Sequence, residues 1–226
     1  MRHAVWWLQD YAYVVYWQVR ALITRATAEQ LEALASPRAP TVVMLPGVYE
    51  SWQFMRPLAL ALFRHGYPVH VVPALGFNTG PVPDMARLVA ADLARHDLRD
   101  VVVVAHSKGG LIGKYAMVSG DPDRRISALV AINTPFAGSR YARWIPLAAV
   151  RAFVPTDATL EALAVDEAVN ARITSVATRF DPHIPGGSEL AGATNVELAT
   201  PGHFRALGDA NLIPVILAAL DRARRP

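Results

Sequence analysis

Val101-Val102-Val103-Val104-Ala105-His106-Ser107-Lys108-Gly109-Gly110 runs a β-branched apolar strand into a serine, and a helical stretch, Leu111 to Val118, follows at once. An unbroken valine run describes a strand buried on both faces, as in a parallel sheet. A serine at the sharp turn between such a strand and a helix stands above the sheet, its hydroxyl clear of its own backbone. Bulky side chains two residues before or after it would strike the neighbouring strand and helix. Those positions hold Ala105 and Gly109. The segment therefore reads Ala-x-Ser-x-Gly and presents Ser107 as a nucleophile. The plainer reading, a serine that only starts a helix, is disfavoured by the valine run on one side and the helix on the other.

Outward from this segment, apolar strands alternate with helical stretches from Thr41 onward. The alternation predicts an α/β protein with a doubly wound, mainly parallel six-stranded sheet and helices on both faces. Strands are expected at 41–45, 68–73, 101–106, 127–133, 172–178 and 194–198, and helices at 52–65, 83–96, 107–119 and 208–223. Gly120-Asp121-Pro122 stops the helix that follows Ser107. Residues 137–170 are too many for an ordinary connection. Their Tyr141, Trp144, Ile145, Leu147 and Phe153 predict a short helical lid over Ser107, lining an apolar pocket. Tyr49, Trp52 and Phe136 are expected to join Tyr141 and Trp144 in that pocket.

The chain has 226 residues, 53% hydrophobic and 18% charged, which suits one catalytic domain with a large core and excludes a disordered chain. It has no cysteine, so no disulfide holds the fold, in keeping with a cytoplasmic location. The net charge is only +3, and the arginines are scattered apart from the Arg222 to Arg225 tail. Without a basic stripe interleaved with aromatics, no nucleic-acid partner is expected.

Residues 1–36 differ from the catalytic domain at 37–226, with Ser36-Pro37-Arg38-Ala39-Pro40 as the natural boundary. Trp6, Trp7, Tyr11, Tyr13, Tyr16 and Trp17 crowd a helical arm in which Val5, Leu8, Ala12, Val15, Val19 and Leu22 share one face. The opposite face, Trp7, Tyr11, Val14 and Gln18, is also largely apolar, and such a helix is normally buried. Asp10, Gln18 and Arg20 interrupt it, short of the roughly 20 apolar residues that cross a bilayer. No convincing signal-peptide cleavage site follows. The arm is expected to pack on its own domain or on a second copy in a homodimer. Peripheral contact of residues 1–23 with a membrane surface is the other reading.

A nucleophilic serine needs a base, and the base needs an orienting acid. In doubly wound hydrolytic folds the chain order is serine, acid, histidine, each after a strand. Ile173 to Thr178 is a strand followed by Arg179-Phe180-Asp181, and Val196-Glu197-Leu198 is a strand followed by Thr200-Pro201-Gly202-His203. Asp181 and His203 thus leave the sheet edge that carries Ser107. His183 is a rival base, but its nearness to Asp181 makes it hard to reach Ser107 while being oriented by that acid. Asp157 and Asp166 lie in the lid and read as solvated helix charges, and His106 is expected to assist by hydrogen bonding. An oxyanion would be held by two backbone N–H groups, those of Lys108 at the helix start and Val48 after Gly47, with Tyr49 as the second choice for the latter. Lys108 itself either favours a negatively charged substrate or, as the preferred reading, pairs with Glu50 or another local acid.

Taken together, these motifs resemble the α/β-hydrolase superfamily, in particular small bacterial lipases and esterases. Ala105-His106-Ser107-Lys108-Gly109-Gly110 is similar to their Gly-His-Ser-Met-Gly-Gly, Pro46-Gly47-Val48 stands at their His-Gly-x, and Asn133-Thr134-Pro135-Phe136-Ala137-Gly138-Ser139 resembles their Thr-Pro-His-x-Gly-Ser. Pro46, Ala105 and Lys108 depart from the pattern without removing a catalytic group. The resemblance spans about Thr41 to Leu220 and implies hydrolysis of a small-molecule or lipid ester by Ser107, His203 and Asp181, with no cofactor and no metal. Thioesterase, amidase or acyltransferase activity would use the same groups. A catalytically silent binding protein is the alternative of another class, and the intact set of three argues against it.

Overall fold

The computed structural model describes residues 2–23 and 40–224. All six expected strands form: β1 (Val42–Leu45), β2 (Val69–Val71), β3 (Val101–His106), β4 (Ile126–Ile132), β5 (Ile173–Thr178) and β6 (Thr194–Leu198). They pair in the order β2-β1-β3-β4-β5-β6, every neighbour parallel. Around them run α1 (Arg2–Ile23), α2 (Arg56–Arg64), α3 (Val82–Arg95), α4 (Lys108–Tyr115), α5 (Ala148–Arg151), α6 (Ala158–Val165) and α7 (Leu212–Ala223). A 3-10 turn at Trp52–Met55 leads into α2, and a wider π turn, Ala116–Gly120, ends the helix after Ser107.

The valine run is explained by the two layers. Successive side chains of a strand point to opposite faces. Val101, Val103 and Ala105 enter a core with Ala86, Val89 and Leu93 of α3 and Leu111 and Ile112 of α4. Val102 and Val104 enter a second core with Leu58 and Leu62 of α2 and Leu212, Ile216 and Leu220 of α7. Neither face meets water, so neither tolerates a polar residue. The chain leaves β1 for β2 on one side and returns to β3 on the other, so the loops after β1 and β3 part at their carboxyl ends. That parting is where open α/β sheets bind ligands.

The lid region resolves into a 3-10 turn at Ala142–Trp144 followed by α5 and α6. Asp157, read from the sequence as a solvated charge, instead caps α6, its side chain accepting from the Thr159 amide at 2.9 Å. The arm departs further from expectation. It is helical, and Tyr13, Val14 and Trp17 pack against the second core. The stripe expected to be buried faces outward, with Val5, Leu8, Val15 and Val19 exposed by 52%, 72%, 60% and 49%. A helix lying on the rim of a domain finds only one supporting surface, and the face carrying Asp10, Tyr13 and Trp17 takes it. The boundary at Ser36–Pro40 lies outside the described residues apart from Pro40.

Candidate active site

Ser107 sits where the sequence places it, between β3 and α4, in a left-handed conformation at φ 51° and ψ −119°. Such backbone is costly for a residue with a side chain and persists only where the surroundings enforce it. Its amide donates to the Ile132 carbonyl at 2.8 Å, and the Thr134 hydroxyl donates to its carbonyl at 3.0 Å. Gly109 and Gly110 are required by space: a Cβ at the first would collide with the Leu45 carbonyl, and one at the second with the Thr134 side chain. The small residues after Ser107 are thus the contact points of α4 with β1 and with the loop after β4.

Asp181 and His203 meet across the loops after β5 and β6. The Asp181 Oδ2 lies 2.7 Å from His203 Nδ1, while Oδ1 accepts from the amides of His183 and Ile184 at 2.8 and 3.0 Å. Burial alone would push the Asp181 carboxyl up, but the facing His203 and these hydrogen bonds outweigh it and hold the group below its ordinary range. Burial likewise works to push the His203 ring down, and the Asp181 carboxylate overrides it, raising the ring above its ordinary 6.5. His183 belongs to the wall of the site. Its ring centroid lies 5.0 Å from that of His203, and its own contact with Asp181 is through the backbone amide. Burial drives its ring down to about 4, so it is neutral near pH 7.

Around the loop after β1, the Tyr49 amide donates to the Phe77 carbonyl at 2.8 Å, which removes it as an oxyanion donor and leaves Val48. The Gly47 amide is held by Glu50 Oε2 at 2.8 Å, and His106 Nδ1 lies 2.9 Å from the same oxygen. His106 Nε2 lies 3.1 Å from the His203 carbonyl, so this side chain links the loop after β1 to the loop that carries His203. The expected pairing of Lys108 with an acid does not form. Glu50 is taken up by Gly47 and His106, and Lys108 Nζ, fully buried, donates to the carbonyls of Asn78 and Gly80. Burial pushes that ammonium down to about 8. Asn78 in turn donates to the Pro46 carbonyl at 2.7 Å. Lys108 therefore braces the turn that carries Val48 from behind.

Ser107, Asp181 and His203, all at most 8% exposed, line one cavity of about 1100 Å³. Of the predicted pocket residues, Tyr49 and Tyr141 line it. Three do not. Trp52 packs beside the second core, Phe136 is buried in the first, and Trp144 is 74% exposed with the Arg143 guanidinium over its ring. From the lid, Ile145, Leu147, Val150 and Phe153 line it as well. The sequence reading missed that α1 supplies a wall, through Trp7, Tyr11 and Val14. It also missed Asn133, at φ 46°, whose side-chain amide donates to the Gly202 and His203 carbonyls at 3.2 and 2.8 Å.

The model of the alpha/beta hydrolase family matches residues 42–225. The chain belongs to the alpha/beta hydrolase family. Solved structures similar to this hydrolase-family chain include the mature lipase of Bacillus licheniformis, 17% identical with a TM-score of 0.66 over 82% of this chain and 94% of that one. Another is a hydrolase from Oleispira antarctica, 15% identical with a TM-score of 0.60 over 88% and 99% of the two chains. A third is a structure described with carboxylesterases of the thaumarchaeon Nitrososphaera gargenis, 11% identical with a TM-score of 0.59 over 84% and 92%. A search of curated protein sequences gave no match. The family supports a hydrolase, and the neighbours share its fold.

Proposed function

We propose that this alpha/beta hydrolase cleaves carboxylic esters through an acyl-enzyme. Ser107 attacks the ester carbonyl, His203 takes its proton and returns it to the leaving alcohol, and Asp181 fixes the imidazole and stabilises its charged form. The Val48 and Lys108 amides hold the oxyanion, and losing one such donor costs about 3 to 4 kcal/mol in the barrier. The observation that carries the reading is the hydrogen-bonded Asp181–His203 pair opening on the same cavity as Ser107 in its left-handed turn. The substrate class follows from the walls: Trp7, Val14, Ile145, Leu147 and Phe153 suit an apolar acyl chain, such as that of a lipid ester. A fluorophosphonate probe should label Ser107 in the native chain and not in Ser107→Ala. Turnover of nitrophenyl esters, from acetate to palmitate, should then rise toward longer chains. Absence of labelling in the native chain overturns the reading.

A further inference from the structure

Asp10 is the acid that interrupts an otherwise apolar helix, and it is fully buried. Its Oδ2 accepts from the His203 amide at 2.9 Å, and its Oδ1 from the Phe204 and Arg205 amides at 2.9 and 3.0 Å. Consecutive backbone N–H groups turned to one side form an anion-binding nest. Here the anion is a side chain from the far end of the sequence. The fit is close: a Cβ on Gly202, which has φ +118°, would sit 2.5 Å from Asp10 Oδ1. On the other side of the same loop, the His203 carbonyl faces Asn133 Nδ2 and His106 Nε2. The backbone of the base is therefore gripped at both its N–H and its C=O.

The same helix reaches the other half of the site. Gln18 Nε2 donates to the Tyr49 carbonyl at 3.0 Å, in the turn that carries Val48. Eight residues of helix put Asp10 and Gln18 about 12 Å apart along one rigid rod. Yet α1 precedes the stretch matched to the family, which begins at residue 42. We propose that Asp10 is a positioning residue for ester cleavage, and that through it α1 sets the His203 loop in register with the oxyanion turn. This inference rests on the triad reading above.

A purely anchoring role would tie α1 to the domain and leave the chemistry of the folded protein unchanged. A positioning role has other consequences. Asp10→Asn keeps the shape but removes the charge and turns an NH₂ toward one of the three amides. In the folded fraction, counted by fluorophosphonate titration, kcat should fall by about tenfold or more, the loss of one charge-assisted hydrogen bond. KM for a short ester should stay within about twofold, because Asp10 touches no substrate. Removing a negative charge near the imidazole should also move the acid limb of the rate profile to lower pH, and Asp10→Glu should restore it.

Two measurements do not need turnover. Amide hydrogen exchange at 203–205 should accelerate in Asp10→Asn more than in β3 or β4, and the His203 ring should titrate at lower pH by NMR. Should Asp10→Asn not fold, Gly202→Ala presses on the same contact from the loop side and should raise exchange at 203–205 and lower kcat. A folded Asp10→Asn variant with unchanged kcat and unchanged His203 titration overturns the inference, whatever its exchange at 203–205. Failure of the native chain to react with the fluorophosphonate overturns the triad reading instead, and the exchange data still report on the clamp.

Discussion

At the scale of single residues, the chemistry turns on how two buried groups are ionised. In the proposed mechanism His203 acts as a base only when neutral, and its ring is held above 6.5 by the Asp181 carboxylate against the opposing pull of burial. A base with a raised pKa stays protonated to higher pH, so kcat/KM should climb with pH along a limb centred above 6.5. Asp181→Asn removes the group that raises the ring, so the limb should move down while kcat falls on the order of 10⁴-fold. A pH–rate profile of both proteins checks the two effects together; a limb that stays in place excludes Asp181 as the orienting acid. Ser107→Ala and His203→Ala should fall to similarly low rates, since such groups act as a unit. Lys108 makes the contrasting case. Its amino group donates to carbonyls of the 78–80 loop and does not line the cavity. Lys108→Met should therefore lower the melting temperature and reduce turnover of neutral and anionic esters by the same factor. A selective loss on anionic esters would restore a role in recognition.

At the scale of elements, the lid gives adjacent residues opposite fates. Ile145 lines the cavity, whereas Trp144 is 74% exposed beneath Arg143. Ile145→Ala should cost long acyl esters roughly tenfold more than acetate, the value of a few lost methylene contacts. Trp144→Ala should leave the chain-length profile unchanged, and the ratio of kcat/KM for palmitate and acetate esters in the two variants reads this directly. The sequence could not tell these residues apart. Residues 140–147 form a 3-10 turn and irregular backbone, so no period links position to facing direction. Strands behave differently, because side chains alternate between faces by geometry, so a run apolar at every position must be buried on both. The valine run therefore marks the extent of β3 to the residue, and the ends of β3, β5 and β6 point to Ser107, Asp181 and His203 as candidates. Lys108 was misjudged for a related reason: its partners are backbone carbonyls, and carbonyls leave no mark in a sequence. Asp10 did leave one. An acid in the middle of a largely apolar helix must find donors, and those Asp10 takes are the amides of residues 203–205.

At the scale of the whole molecule, α1 is two-sided, and its faces predict different outcomes. The inner face closes the cavity with Trp7 and Tyr11, sets Tyr13 edge-on against Phe54, and delivers Asp10 and Gln18 to the two loops of the site. The outer face holds Val5, Leu8, Val15, Val19 and Ile23 in water, a continuous apolar stripe of the kind that favours association. Among the described residues no helix is long and apolar enough to cross a membrane. Substituting Leu8 and Val15 together by glutamine changes only exposed positions. Melting and turnover should be retained within the small effects of surface changes, about 0.5 kcal/mol. Self-association, followed by sedimentation, or flotation with lipid vesicles should decrease. Deleting residues 1–35 should do the reverse on every axis. It opens one wall of the cavity, leaves the amides of residues 203–205 without their acceptor, and uncovers Phe54 and Phe204. Turnover should collapse, melting should drop, and the truncated chain should aggregate. A truncated chain that stays monodisperse with native melting and native kcat would show that residues 42–224 organise the base and the oxyanion turn by themselves.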